Sequence, residues 1–62
     1  MNEQVIRYPN GEIIGRLIDF PERVEARNSK GILIGWYCKG ADQTRCASGR
    51  LFALGNAVRT LL

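Results

Sequence analysis

Histidine is absent from the 62 residues, which removes both the commonest general base near neutral pH and the commonest metal ligand. Cysteine is scarce. Cys38 and Cys46 stand eight apart, which is neither a C-x-x-C redox pair nor half of a four-thiolate zinc site, and no second pair completes one. No metal and no other cofactor is expected. The acids Glu3, Glu12, Asp19, Glu22, Glu25 and Asp42 include no pair whose spacing suits general acid and base chemistry, and a chain this short scarcely encloses a cleft. Gly31-x-x-x-Gly35 lacks the Gly-Lys-Ser/Thr ending of a phosphate loop. Enzymatic activity is therefore not expected.

Long apolar runs are missing too. The longest uncharged apolar-rich stretch, Gly31 to Cys38, has eight residues against the roughly 20 that cross a bilayer. The start, Met1-Asn2-Glu3-Gln4, carries an acid where an export signal carries a basic residue and then an apolar run. Neither a membrane partner nor export is expected, and the cytoplasm is the expected compartment. No block of like charge appears: nine Lys and Arg are spread along the chain, interspersed with six Asp and Glu, to a net charge of +3. The bias toward anionic partners is mild.

With 45% apolar residues and 24% charged, the composition is that of a folded domain, and residues 1–62 are read as one. A chain of this size buries only about 60% of the surface its unfolded form exposes, so a staple or a partner subunit is expected.

Glycines 11, 31 and 49 recur at spacings of 20 and 18, in Arg7-Tyr8-Pro9-Asn10-Gly11-Glu12-Ile13-Ile14-Gly15, Arg27-Asn28-Ser29-Lys30-Gly31-Ile32-Leu33-Ile34-Gly35 and Arg45-Cys46-Ala47-Ser48-Gly49-Arg50-Leu51-Phe52-Ala53. An arginine stands four before each turn glycine, and Ala53 replaces the second glycine in the last unit. Each unit reads as a β-hairpin: a turn whose glycine can take positive φ, flanked by β-branched and apolar runs. The units span about 5–18, 24–38 and 43–54. Gly15 and Gly35 fall inside second strands, where glycine marks a bulge, a bend or close approach of another backbone. The same bend in every hairpin would curl them around a shared centre, so the fold expected is all-β, three hairpin repeats forming a small barrel or ring-like sheet. Residues 56–62 are expected to form a short carboxy-terminal helix capped at Asn56, surviving only by laying Val58, Leu61 and Leu62 on the sheet or on a neighbouring subunit.

Over residues 5 to 54 this pattern resembles the small bacterial and phage proteins built of β-hairpin repeats, the four-fold β-flower domains. The resemblance rests on the turn glycines, on Gly15 and Gly35, and on the aromatic pair in Gly35-Trp36-Tyr37. It implies an architecture and no catalytic residues. Three units stand here instead of four, and Ala53 departs from the pattern.

Two sets of residues stand out. The second strands carry apolar side chains on both faces, and one face needs cover, so Ile14, Ile34, Trp36, Phe52, Val58 and Leu61 are candidates for self-association in a homodimer. The function expected is a non-catalytic binding or assembly module, with protein as partner. The alternative is a small basic nucleic-acid-binding protein in which Arg7, Arg27, Lys30 and Arg45 contact phosphates while Trp36 or Tyr37 stacks on a base. Against each stands a plainer role: arginines that discourage edge pairing, and aromatics that fill the little core. Cys38 and Cys46 flank a seven-residue loop and are placed to face each other across neighbouring strands, or to serve as small core residues.

Overall fold

The computed structural model describes residues 2–62. Six strands follow one another, β1 (Asn2–Arg7), β2 (Ile13–Asp19), β3 (Arg23–Asn28), β4 (Leu33–Cys38), β5 (Gln43–Cys46) and β6 (Leu51–Leu54), and a 3₁₀ turn (Val58–Leu61) ends the chain. Each strand pairs antiparallel with its neighbours in sequence, giving one sheet of order β1-β2-β3-β4-β5-β6. The first strand begins at Asn2, earlier than the unit boundary read from the sequence.

The three tight turns are alike. In each, a positive-φ glycine, at 92° (Gly11), 82° (Gly31) and 91° (Gly49), donates its amide to the carbonyl three residues back, on Tyr8, Asn28 and Cys46. Asn10 and Asn28 side chains accept amides two residues on, from Glu12 and Lys30, as turn asparagines do. The register then slips by one residue at the same place in each hairpin. Ile6 faces Gly15 but Arg7 faces Ile13; Ala26 faces Gly35 but Arg27 faces Leu33; Thr44 faces Ala53 but Arg45 faces Leu51. Ile14, Ile34 and Phe52 are thus the extra residues of three β-bulges.

Direct cross-strand partners share a face of the sheet, and the ladders sort the side chains into two faces. One carries Ile6, Gly15, Leu17, Val24, Ala26, Gly35, Tyr37, Thr44 and Ala53. The tail crosses this face. Gly55 (φ 78°) turns the chain off β6, Thr44 holds it by donating Oγ1–H to the Gly55 carbonyl (2.7 Å) and accepting the Ala57 amide (2.9 Å), and Val58 is buried. The core is small: among the described residues the buried apolar side chains are Ile6, Ala26 and Val58, so side chains worth about 2 kcal/mol each when fully buried are few.

The sheet does not close. The expected barrel or ring is corrected to an open sheet, with β1 and β6 as its two edges. Gly15 and Gly35 do not serve to bend hairpins into a ring; they make room for the next hairpin. A Cβ on Gly15 would sit 2.2 Å from the Arg27 carbonyl oxygen, and one on Gly35 would sit 2.3 Å from that of Arg45. Past these glycines β2 and β4 run on to Asp19 and Cys38 and pair with the following strand. Past Ala53, β6 has only Leu54 before the chain leaves for the tail. The expected terminal helix is likewise corrected to a single 3₁₀ turn. Asn56 Oδ1 accepts the Val58 amide (3.2 Å) at its start, but four residues are too few for an α-helix to outweigh nucleation.

Candidate functional site

The second face of the sheet has no covering layer. The ladders arrange it in rows running across the strands: Val5, Arg16, Arg27 and Leu33; then Glu3, Ile18, Glu25, Trp36, Arg45 and Leu51; then Arg23, Cys38, Gln43 and Leu54. Its two halves differ in chemistry. Across β1 to β3 it is a lattice of charge, in which the buried Glu25 receives Arg23 at Oε2 and Arg27 at Oε1 (3.1 Å), and Arg16 meets Glu3 at 3.3 Å. The Arg23 guanidinium also lies 5.5 Å from the centre of the Trp36 ring, within cation–π range. A shallow depression of about 450 Å³ opens beside this lattice at Phe20, Pro21 and Glu22, yet both Glu25 oxygens in its wall are already taken.

Across β4 to β6 the face is apolar. Trp36, Cys38, Leu51 and Leu54 occupy it with Gln43 and Arg45, and no acid is present. Leu51 is 51% exposed, Phe52 46% and Leu54 76%. These three belong to an edge strand, Leu-Phe-Ala-Leu, without the charge or proline that usually protects such an edge. Arg45 is held in place, donating Nη1–H to the Gly49 carbonyl (2.9 Å) and Nη2–H to Gln43 Oε1 (2.9 Å).

The self-association candidates therefore divide. Ile34, Trp36 and Phe52 fall on the β4–β6 end. Ile14 is the bulge residue of the first hairpin, away from that end. Val58 and Leu61 belong to the tail on the opposite face, where Val58 is buried and the half-buried Leu61 lies over Gly35. Leu51 and Leu54 were not singled out from the sequence. Their signal was the edge position, which spacing alone does not reveal.

Three of the candidate arginines each have a job in their own hairpin. Arg7, Arg27 and Arg45 each donate Nη1–H to the carbonyl of the turn glycine four residues on, at 2.8, 2.9 and 2.9 Å. Tyr37 stands apart from them, on the tail-covered face and toward the other end of the sheet. Its hydroxyl donates to Asp42 Oδ1 (2.6 Å), and this bond to a carboxylate, followed by burial, raises the phenol above its usual value of 10.0. Cys38 pairs with Gln43 while Cys46 pairs with Gly35, three rungs along and on the opposite face. A bridge between them is excluded by direction as well as distance, which corrects the expectation that they face each other; both are free thiols.

No family model matches the chain, and no curated protein or solved structure matches it at a significant level. Among the described residues no group of three or more His, Cys, Asp and Glu is placed to hold a metal ion, and no helix is long and apolar enough to cross a membrane.

Proposed function

We propose that this protein is a non-catalytic assembly module whose partner is a second copy of itself, joined through the β4–β6 half of the uncovered sheet face. The carrying observation is Leu51, Phe52 and Leu54, three large apolar side chains left about half or more exposed on one edge strand. Leu51 shares its row with Trp36 and Leu54 shares its row with Cys38. Two further facts support the reading. The core is too small for comfort in a lone chain of 62 residues, and the apolar half holds a single cation, already bonded to its own chain, so two copies meet there about a two-fold axis with little like-charge repulsion. As part of the same reading, the three hairpins are copies of one unit, and the chain belongs with small hairpin-repeat proteins.

The test is solution mass by light scattering across a dilution series at low and high salt. A dimer of twice 7.0 kDa that resists salt is expected, and Leu54→Lys should dissociate it while Ile32→Lys, at another exposed apolar side chain but in a hairpin turn, leaves it intact. A monomer at every concentration, or a dimer indifferent to Leu54→Lys, overturns the proposal.

A further inference from the structure

Charges that are scattered along the sequence are sorted by the fold. Because the sheet is a simple meander, its three hairpin turns emerge at one end. That end gathers Arg7, Arg27, Lys30, Arg45 and Arg50 against one acid, Glu12. The opposite end holds Glu3, Asp19, Glu22 and Asp42 against Arg23 and Lys39, and Lys39 is already bonded to Asp19 (2.6 Å) and to the Phe20 carbonyl (2.9 Å).

We infer that the row of hairpin turns is a binding surface for the phosphate backbone of nucleic acid. The turns lie on alternate strands, hence about 10 Å apart, and make a strip of about 20 Å. One strand of a duplex places about six phosphates over that length. Charge is held in position along the strip: the Nη1 bonds of Arg7 and Arg45 to their turn glycines fix each guanidinium beside its turn, so little side-chain freedom is lost on contact. Arg27 contributes less, its Nη2 being paired with Glu25. Lys30 and Arg50 are exposed, and their side chains have no hydrogen-bond or ion-pair partner among the described residues. Tyr8, 52% exposed in the first turn, adds a ring face on which a base can stack. A regularly spaced polyanion with aromatic faces fits this strip better than an acidic peptide does. The surface lies at the hairpin tips, and of its cations only Arg45 also borders the apolar half of the sheet face.

The experiment is fluorescence anisotropy of a labelled 20-nucleotide oligothymidine, and of a 20-base-pair duplex, from 50 to 200 mM NaCl, on protein purified free of nucleic acid. Four cations in contact, Arg7, Lys30, Arg45 and Arg50, give a slope of about −2.8 in log affinity against log salt on the single strand, or about 50-fold weakening over that range. The Lys30→Gln/Arg50→Gln double variant, which leaves the turn-bonded arginines alone, should halve the slope and reduce the weakening to about 7-fold. Arg59→Glu, on the tail, removes the same net charge and should leave the slope unchanged. Repeating the titration with Leu54→Lys separates this surface from the apolar one: a monomer that still binds upholds the inference even where the dimer proposal fails. No binding at 50 mM NaCl, an Arg59→Glu effect equal to that of the double variant, or displacement of the oligonucleotide by poly-glutamate as effectively as by unlabelled oligonucleotide would each overturn it.

Discussion

Placing a methyl group on Gly35 tests the packing of one hairpin against the next more sharply than any core truncation. The added Cβ would lie 2.3 Å from the Arg45 carbonyl oxygen and 2.6 Å from Leu61 Cδ1. The leucine end can rotate aside; the carbonyl belongs to the neighbouring strand and cannot. Relief requires β5 to retreat by most of an ångström, which strains the 2.9 Å bond from the Ala47 amide to the Ile34 carbonyl. Overpacking of this kind costs about 1–3 kcal/mol, and a lost backbone hydrogen bond about 1 kcal/mol more, so Gly35→Ala is expected to destabilise by about 3 kcal/mol. A domain of this length has only roughly 3–9 kcal/mol in total. The midpoint of thermal unfolding should fall by roughly 15 °C. Ala53→Gly is the converse at the matching position, where no strand follows, and should cost only about 0.5–1 kcal/mol through backbone entropy. Urea denaturation followed by far-UV circular dichroism reads both variants. If Gly35→Ala lies within about 0.5 kcal/mol of the parent, the close approach is not what glycine is there for.

Three further outcomes are expected. Thr44→Val keeps the shape of a fully buried side chain while orphaning the Gly55 carbonyl and the Ala57 amide, and should cost about 2 kcal/mol in urea denaturation; a change under about 0.5 kcal/mol would mean that the tail is held by its apolar contacts alone. Arg27→Lys keeps the charge but not the fork that reaches both the Gly31 carbonyl and Glu25, so about 1 kcal/mol should be lost and the Gly31 amide should exchange faster with solvent, whereas unchanged exchange would show that the turn does not need its clamp. For Tyr37 the folded chain favours the neutral phenol, because its proton is donated to Asp42. That contribution to stability is whole below pH 10.0 and disappears as pH climbs through the raised value. In a Tyr8→Phe background, absorbance at about 295 nm should therefore titrate above the unfolded chain and return toward it in Asp42→Gly; a midpoint indifferent to Asp42 would contradict the bond.

Much of the fold could be read along the chain because its signals are local. Pro9-Asn10-Gly11, Asn28-Ser29-Lys30-Gly31 and Ala47-Ser48-Gly49 each turn where a positive-φ glycine follows turn formers, and the hairpins follow from them. Closure was not local. The presence of Gly15 and Gly35 allowed either a bend or a close neighbour, and only the position of the next strand decides between these. Ala53, which looks like a lapse in the pattern, stands on an edge strand, where no further strand pairs beside it. The site was harder still. Exposure of Leu51 and Leu54 depends on β6 being an edge, and the division of one sheet face into charged and apolar halves depends on a bulge in every hairpin, a one-residue shift that spacing leaves unseen. Arginine at a fixed distance from the turn glycine was visible; that its guanidinium reaches back to that glycine's carbonyl was not.

The strand order has a kinetic meaning. Every ladder joins neighbours in the chain, so the sheet can assemble hairpin by hairpin with short loops to close, the regime in which domains fold fast. The exception is the tail, whose Leu62 reaches Gly15 across nearly the whole chain. That contact is expected to form after the rate-limiting barrier. Substitutions at Val58, Leu61 or Leu62 should then accelerate unfolding while leaving the folding rate almost untouched, which makes eight residues that seal one side of a sheet the setting for how long the native state lasts.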